Sequence, residues 1–131
     1  MDREKIFNYW IDSSDNDFKA MSHLFEKGDY SWALFVGHLV IEKLLKAFYV
    51  QHINEAPPFI HDLVRLSENA GLALNESQKD ILDTISAFNL RARYDDYKMD
   101  FHRKCDREFT AKWIHEIEAF RKWIKSRLLN P

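Results

Sequence analysis

The sequence has few of the residues that folds other than helical bundles usually require. Its 131 residues include only three glycines, three prolines and one cysteine, Cys105. So few glycines and prolines argue against a β-rich fold, because such folds need many tight turns. The single cysteine excludes an internal disulfide and is typical of the reducing cytoplasm, where we expect this protein to be located.

Long apolar runs and an excess of basic residues are missing as well. No apolar stretch approaches the roughly 20 residues that a membrane-spanning helix needs, and residues 1–5 lack the order of a signal peptide. We therefore expect no membrane partner. The net charge of −2 argues against a general nucleic-acid-binding surface, since nonspecific binding depends on a broad basic surface. Any role with nucleic acids would need a specific site.

The sequence is rich in apolar residues at spacings that are typical of helices. Hydrophobic residues make up 46% of the chain, which suffices for one core, and the length suits a single domain over residues 1–131. Steps of three and four between apolar residues predict a long first helix that ends near Gly28 and a second that begins after Asp29. The second is apolar nearly all round, which predicts a central position. Gly37 inside it predicts a close approach to another helix.

A break at Pro57 and Pro58 separates the second helix from three further helical patterns. The sequence predicts a short helix over 61–69, a fourth helix capped by Asn75, and a long last helix over about 106–128. Short connections between consecutive helices favour antiparallel neighbours. The predicted fold is therefore all-α, an up-and-down antiparallel four-helix bundle with an additional short helix.

The segment over residues 89–105 concentrates side chains that are suited to chemistry, and its charge predicts an irregular connection outside the core. It offers guanidinium groups for bidentate phosphate contacts, tyrosine rings on which a base could stack, and the His102 imidazole for proton transfer. The candidate nucleotide-binding residues of this segment are Arg91, Arg93, Tyr94, Asp96 and Tyr97. The alternative is a solvated connection whose arginines and aspartates pair with one another, and composition alone favours it.

Two smaller clusters lie outside that segment. Glu42 and Lys46 stand four residues apart on the second helix, where such a pair supports the helix. Charges on a mostly apolar helix can also mark a contact with solvent, a partner or a ligand, which makes Lys43 and Lys46 candidate extensions of the site. His61 or Asp62 most simply helps to start the short helix.

Motifs of other site classes are weak or missing. None of the six histidines has a glutamate three residues before it, as ferritin-like di-iron sites require. His38 and Glu42 stand four apart, which is weak support for a metal. The sequence also has no glycine-rich phosphate loop, no paired-cysteine motif and no nucleophile elbow. We therefore predict neither a metal nor a cofactor.

Taken together, these pieces resemble the HEPN domain (higher eukaryotes and prokaryotes nucleotide-binding domain) in its small, stand-alone prokaryotic type. The similar stretches, in the family's order and spacing, are residues 17–18, 28–33, 42–47, 57–63 and 93–96. Ile60 and Asp95 stand where the family pattern has Thr and Pro. The resemblance implies a helical bundle that often forms a homodimer and that binds nucleotides or acts on RNA.

The resemblance also implies partners and a possible activity. Many small prokaryotic members act with a minimal nucleotidyltransferase, some as toxin–antitoxin pairs, so the predicted function is a nucleotide- or RNA-binding module with such a partner. Catalytic members are metal-independent ribonucleases in which four to six residues separate an arginine from a following histidine. Eight residues separate Arg93 from His102 and ten separate Arg91 from it, so this motif is not matched.

Two alternatives therefore stay open beside the binding module. In a ribonuclease, His102 would transfer a proton and Arg93 would stabilise charge on the phosphorane. In a pure protein-interaction module, the polar segment would only dock a partner.

Overall fold

The computed structural model of this protein describes residues 2–129, apart from the side chains of residues 95–97 and 129. Its helices are α1 (Arg3–Glu26), α2 (Tyr30–His52), α3 (Leu63–Ala70), α4 (Glu76–Arg91), α5 (Asp95–Lys104) and α6 (Arg107–Leu129). Residues 2–129 contain no strand, and none of the helices described is long and apolar enough to cross a membrane. The predicted all-α bundle is confirmed.

Helix α2 is the centre of the bundle and packs against α1, α3, α4 and α6. Most of its residues are buried, as its apolar surface predicts. A Cβ added to the backbone at Gly37 would lie 2.5 Å from Cδ1 of Ile117 in α6 and 3.1 Å from the sulfur of Met21 in α1. The lack of a side chain at this position therefore lets both neighbouring helices close on α2, which confirms the predicted close approach.

Helix α1 continues through a polar middle that has weak helix formers. Ser14 is fully buried, and its hydroxyl donates a hydrogen bond to the Val40 carbonyl of α2 over 2.8 Å. The Asp15 carboxylate accepts hydrogen bonds from Arg121 and Lys125 of α6, over 3.2 and 2.8 Å. The polar middle thus contacts both neighbouring helices, and these contacts compensate for its low helix propensity.

Capping residues that are recognisable in the sequence determine where the shorter helices begin and end. The Asp62 carboxylate accepts from the Arg65 amide at the start of α3, and Gly71 ends that helix in the left-handed region with φ of 80°. Asn75 and Gln78 form a reciprocal capping box at the start of α4. The predicted short helix and the predicted cap at Asn75 are both confirmed.

The prediction of an irregular segment over residues 89–105 is wrong. Helix α4 continues to Arg91, and α5 occupies Asp95–Lys104. The reason is one apolar anchor: Phe101 is fully buried, with its ring centroid 5.5 Å from that of Phe88 and 5.0 Å from the Arg91 guanidinium. A buried ring on one face thus anchors a short helix whose other side chains are mostly polar.

Candidate functional site

A connected set of polar side chains lies where α2, the loop before α3 and the end of α4 meet. We call this set the polar network; its six residues are His38, Glu42, Lys46, His61, Asn89 and Arg93. Four of them, His38, Glu42, Lys46 and Asn89, are buried. Buried polar groups are costly unless they are hydrogen-bonded, so the partners of each residue decide what the network can do.

Glu42 is the acidic centre of the polar network. Its side chain is only 5% exposed, and each carboxylate oxygen has a partner. Oε1 accepts a hydrogen bond from Nδ1 of His61 over 2.7 Å, and Oε2 accepts one from the Lys46 ammonium over 3.2 Å. The Lys46 ammonium also lies 5.0 Å from the Trp10 ring and 5.7 Å from the Phe59 ring. The charge of the buried carboxylate is therefore balanced by Lys46, and the carboxylate is held in one orientation.

His38 joins the loop before α3 to α4. Its Nε2 donates to the backbone carbonyl of His61 over 2.9 Å, while its Nδ1 accepts from the Asn89 amide over 3.4 Å. Burial lowers the pKa of His38, although the hydrogen bond to His61 and the charge of Glu42 act in the opposite direction. His38 is therefore a neutral imidazole that carries its proton on Nε2 and fixes the backbone at His61.

Arg93 forms the outer end of the polar network. Its Nε donates to the Asn89 backbone carbonyl over 2.9 Å, and its Nη2 donates to the Asn89 side-chain oxygen over 2.5 Å. The guanidinium also lies 5.6 Å from the Phe35 ring and 5.3 Å from the Tyr94 ring. These contacts hold the planar group, while no described residue accepts a hydrogen bond from Nη1.

An open groove with a volume of about 490 Å³ lies over this end of the network. His61 and Asp62 line it from the loop, Asp83 lines it from α4, and Arg93 and Tyr94 line it from the residues after α4. The His61 side chain is 61% exposed and Tyr94 is 52% exposed. A ligand in the groove would therefore meet one guanidinium, one imidazole, one phenol ring and two carboxylates.

The structure brings together only some of the candidates that the sequence predicts. Arg93 and Tyr94 line the groove, whereas the Arg91 guanidinium stacks over the Phe101 ring. His102 lies on the exposed side of α5, with no hydrogen bond or ion pair to any side chain that the structure describes. His102 is also not among the residues lining the groove. The side chains of Asp96 and Tyr97 lie outside the described residues.

The two lysine candidates on α2 have different environments. Lys43 pairs with Asp17 of α1 over 2.7 Å and is partly exposed. Lys46 is buried and pairs with Glu42, one turn earlier on the same helix. Neither lysine lines the groove.

Sequence reasoning did not assign His38, His61 or Asn89 to the site, and it considered Glu42 as a partner for Lys46 and, with His38, as weak support for a metal. One signal could have found the α2 members: His38, Glu42 and Lys46 recur at steps of four on a helix that is otherwise apolar. That spacing places all three on one helix face. Among the described residues, no cluster of three or more His, Cys, Asp or Glu could hold a metal ion.

Comparisons with known proteins agree with this architecture. The HEPN domain model matches residues 7–127. A similar solved structure is that of TT1696 from Thermus thermophilus, which is 15% identical, has a TM-score of 0.78, and is aligned over 92% of this chain and 96% of that chain. At this identity the likeness shows the fold alone, and a search of curated proteins finds no match. Since the family match reaches every helix of the bundle, the chain belongs to the HEPN domain family, a family of nucleotide- and RNA-related modules.

Proposed function

We propose that this protein is a nucleotide- or RNA-binding module and that its groove, lined by His61, Arg93 and Tyr94, is the binding surface. The observation that carries the proposal is the held guanidinium of Arg93. Two of its nitrogens are bonded to Asn89, so little side-chain entropy is lost when a ligand binds. The remaining nitrogen can donate to a phosphate oxygen in a charge-assisted hydrogen bond.

The neighbours of Arg93 supply the rest of a nucleotide site. Tyr94 is half exposed next to the guanidinium, and its ring offers a stacking surface for a base. Asp62 and Asp83 line the same groove and would repel a second phosphate close by. The groove therefore suits one phosphate with its base better than a run of backbone phosphates.

The test is a pair of matched arginine variants. Arg93→Ala should weaken the binding of AMP and of a single-stranded RNA oligonucleotide by about 1–3 kcal/mol, because it removes a charge-assisted contact. Arg127→Ala removes the same charge from an exposed side chain in the last turn of α6 and should keep the affinity. Isothermal titration gives both affinities, and thermal unfolding verifies that both variants fold.

Three results would speak against this binding site. Equal losses in the two variants would mean that only overall charge matters. Unchanged affinity in both Arg93→Ala and Tyr94→Ala, which alter two residues that line the groove, would eliminate the groove as the site. No binding of either probe by the wild-type protein would favour a pure protein-interaction module.

The family resemblance also supports a proposal about partners. We propose that the protein acts with a minimal nucleotidyltransferase, in a toxin–antitoxin pair or a related arrangement. Co-expression with a nucleotidyltransferase encoded next to it, followed by affinity purification and mass measurement of the complex, tests this. Failure of the two proteins to associate at micromolar concentration would count against the partnership.

Exposed aromatic side chains support a further proposal, that the protein is a homodimer with two-fold symmetry. Tyr9 is 61% exposed, Trp32 is 40% exposed and Phe59 is fully exposed. Tyr9 and Phe59 line the same cavity, and contiguous exposed apolar surface often marks an interface. Light scattering should give twice the mass of one chain, and a monomer mass at micromolar concentration would contradict the proposal.

A further inference from the structure

A second cavity, with a volume of about 530 Å³, lies between the start of α1, the C-terminal half of α2 and the loop before α3. We call it the aromatic cavity, because Tyr9 and Trp10 of α1 and Phe59 of the loop line it with their rings. Its size lies within the range of roughly 300–1,000 Å³ that is usual for small-molecule sites. It shares no lining residue with the groove, so the two are separate sites.

The ionised side chains of the aromatic cavity lie at two depths. Among the described residues that line it, Lys5, Lys46 and Glu55 carry charge. Lys5 and Glu55 are exposed and therefore lie at the mouth. The Lys46 side chain is only 7% exposed, so its ammonium lies at the inner end of the cavity.

The buried ammonium of Lys46 has more hydrogens than acceptors. It donates to Oε2 of Glu42 over 3.2 Å, and no other described residue accepts a hydrogen bond from it. Its remaining neighbours are ring faces, Trp10 at 5.0 Å and Phe59 at 5.7 Å. An ammonium can only donate, and a buried donor without an acceptor is costly. Two of its hydrogens are thus available to an oxygen atom inside the cavity.

These groups select the chemistry of a ligand. A cluster of aromatic rings alone would suit a quaternary ammonium group, but Lys46 already places a cation next to two of the rings. A phosphate monoester, with its charge near −2, would be repelled by Glu55 at the mouth and by Glu42 beside Lys46. A carboxylate has a single charge and two acceptor oxygens, and a flat apolar body attached to it would pack on the rings.

We propose that the aromatic cavity is a binding site for a small aromatic carboxylate. The carboxylate accepts hydrogen bonds from Lys46, and the aromatic body packs against Tyr9, Trp10 and Phe59. This site goes beyond the proposed nucleotide or RNA binding in the groove. It gives Lys46 a role, since the structure places this lysine away from the groove to which the sequence assigned it.

A second copy of the chain is the competing occupant, because Tyr9 and Phe59 also support the proposed homodimer. Phe59 is fully exposed and Tyr9 is 61% exposed, so either occupant would cover apolar surface. Covering these two rings does not by itself supply an acceptor for the buried ammonium of Lys46. A small aromatic carboxylate does both, which favours it as the occupant.

The experiment uses the full chain and three probes that share one ring system. They are 1-naphthaleneacetate, the neutral 2-(1-naphthyl)ethanol and the cationic 2-(1-naphthyl)ethylamine. Isothermal titration should show that the carboxylate binds about tenfold more tightly than the alcohol, because its hydrogen bonds to Lys46 are charge-assisted at both ends, and that the amine binds most weakly. Amide chemical shifts in the presence of the carboxylate should change over residues 5–10 and 55–59 and stay constant over 83–94.

Matched variants test the two halves of the site. Lys46→Met alone would leave the buried Glu42 carboxylate without its cation, so it is made in a Glu42→Gln background and compared with Glu42→Gln. It should weaken binding of the carboxylate by about 10–100-fold and binding of the alcohol by a few-fold at most. Phe59→Ala removes a fully exposed ring and should weaken all three probes by a similar factor without lowering thermal stability. Met99→Ala, an exposed apolar side chain of α5, is the control and should keep the wild-type affinities.

Several outcomes would overturn this proposal. Equal affinities for the carboxylate and the alcohol, or a carboxylate affinity that does not depend on Lys46, would refute the assigned chemistry. Wild-type protein that binds no probe, together with a Phe59→Ala variant that becomes monomeric in light scattering, would assign the cavity to a second copy. Competition between AMP and the carboxylate would make it a nucleotide site. If the double variant does not fold, the probe series, the chemical shifts and Phe59→Ala still decide. AMP binding through Arg93 is measured at a separate site, so it stands or fails independently.

Discussion

Replacing Gly37 with alanine tests how closely α1 and α6 pack on α2. The new Cβ would lie 2.5 Å from Cδ1 of Ile117 and 3.1 Å from the sulfur of Met21, and both side chains are fully buried. Alanine is better than glycine in a helix interior by about 1 kcal/mol, whereas overpacking a filled core costs about 1–3 kcal/mol. We therefore expect a net loss of about 1 kcal/mol in the free energy of unfolding, which corresponds to a Tm lower by about 3–5 °C.

A double-mutant cycle gives this prediction its control. Ile117→Val removes the Cδ1 atom that the new Cβ would meet, at a cost of about 0.5–1.5 kcal/mol by itself. Combined with Gly37→Ala, it should relieve the overlap, so that the double variant is more stable than the sum of the two single effects by about 1 kcal/mol. Urea unfolding of the four proteins gives the coupling. A Gly37→Ala variant as stable as the wild type, or strictly additive effects, would refute the close approach.

Three further predictions concern titratable groups. Burial lowers the pKa of His38, so the folded state resists its protonation. The free energy of unfolding should be retained above about pH 6.5 and should fall as the pH drops below that value. Urea unfolding over this pH range should show a shallower fall for His38→Gln than for the wild type. Burial raises the pKa of Cys105 to about 11, so a thiol reagent at mildly alkaline pH should label the native protein slowly and the unfolded protein fast; rapid native labelling would contradict its burial. Burial acts to raise the pKa of Asp15, but hydrogen bonds and charges from Lys125 and Arg121 lower it overall, so its contribution should be lost only in strong acid. Because Asp15 is 43% exposed, Asp15→Asn should cost at most about 1 kcal/mol near neutral pH, and less at high salt.

Local chemistry made much of the fold predictable from the sequence. The caps at Asn75 and Gly71 and the apolar surface of α2 depend on neighbouring residues in the chain, so the pattern alone indicates them. Helix α5 was not predictable in this way, because it depends on the burial of Phe101 against Phe88. A contact of that kind exists only after the bundle has formed.

The candidate site shows the same division. Arg93 and Tyr94 could be singled out because they lie together in one short segment with obvious chemistry. The contacts that orient the site could not be predicted, since His38 is 23 residues from His61 and 51 residues from Asn89 along the chain. Such separations give no local pattern, and only the packing of α2 against α4 and against the loop before α3 makes these residues neighbours.

The hydrogen bonds of the polar network also have a direction, which links the residue at position 93 to the protonation of a distant ring. A guanidinium can only donate, so Asn89 must turn its oxygen toward Arg93 and its amide hydrogens toward His38. The His38 ring must then accept at Nδ1 and donate from Nε2 to the His61 carbonyl. Arg93 thereby selects the tautomer of a histidine to which it is not bonded. With an acceptor at position 93, Asn89 would turn its amide hydrogens toward that residue and its oxygen toward His38. The His38 ring would then donate from Nδ1, and the carbonyl of His61 would face an imidazole lone pair in place of a proton.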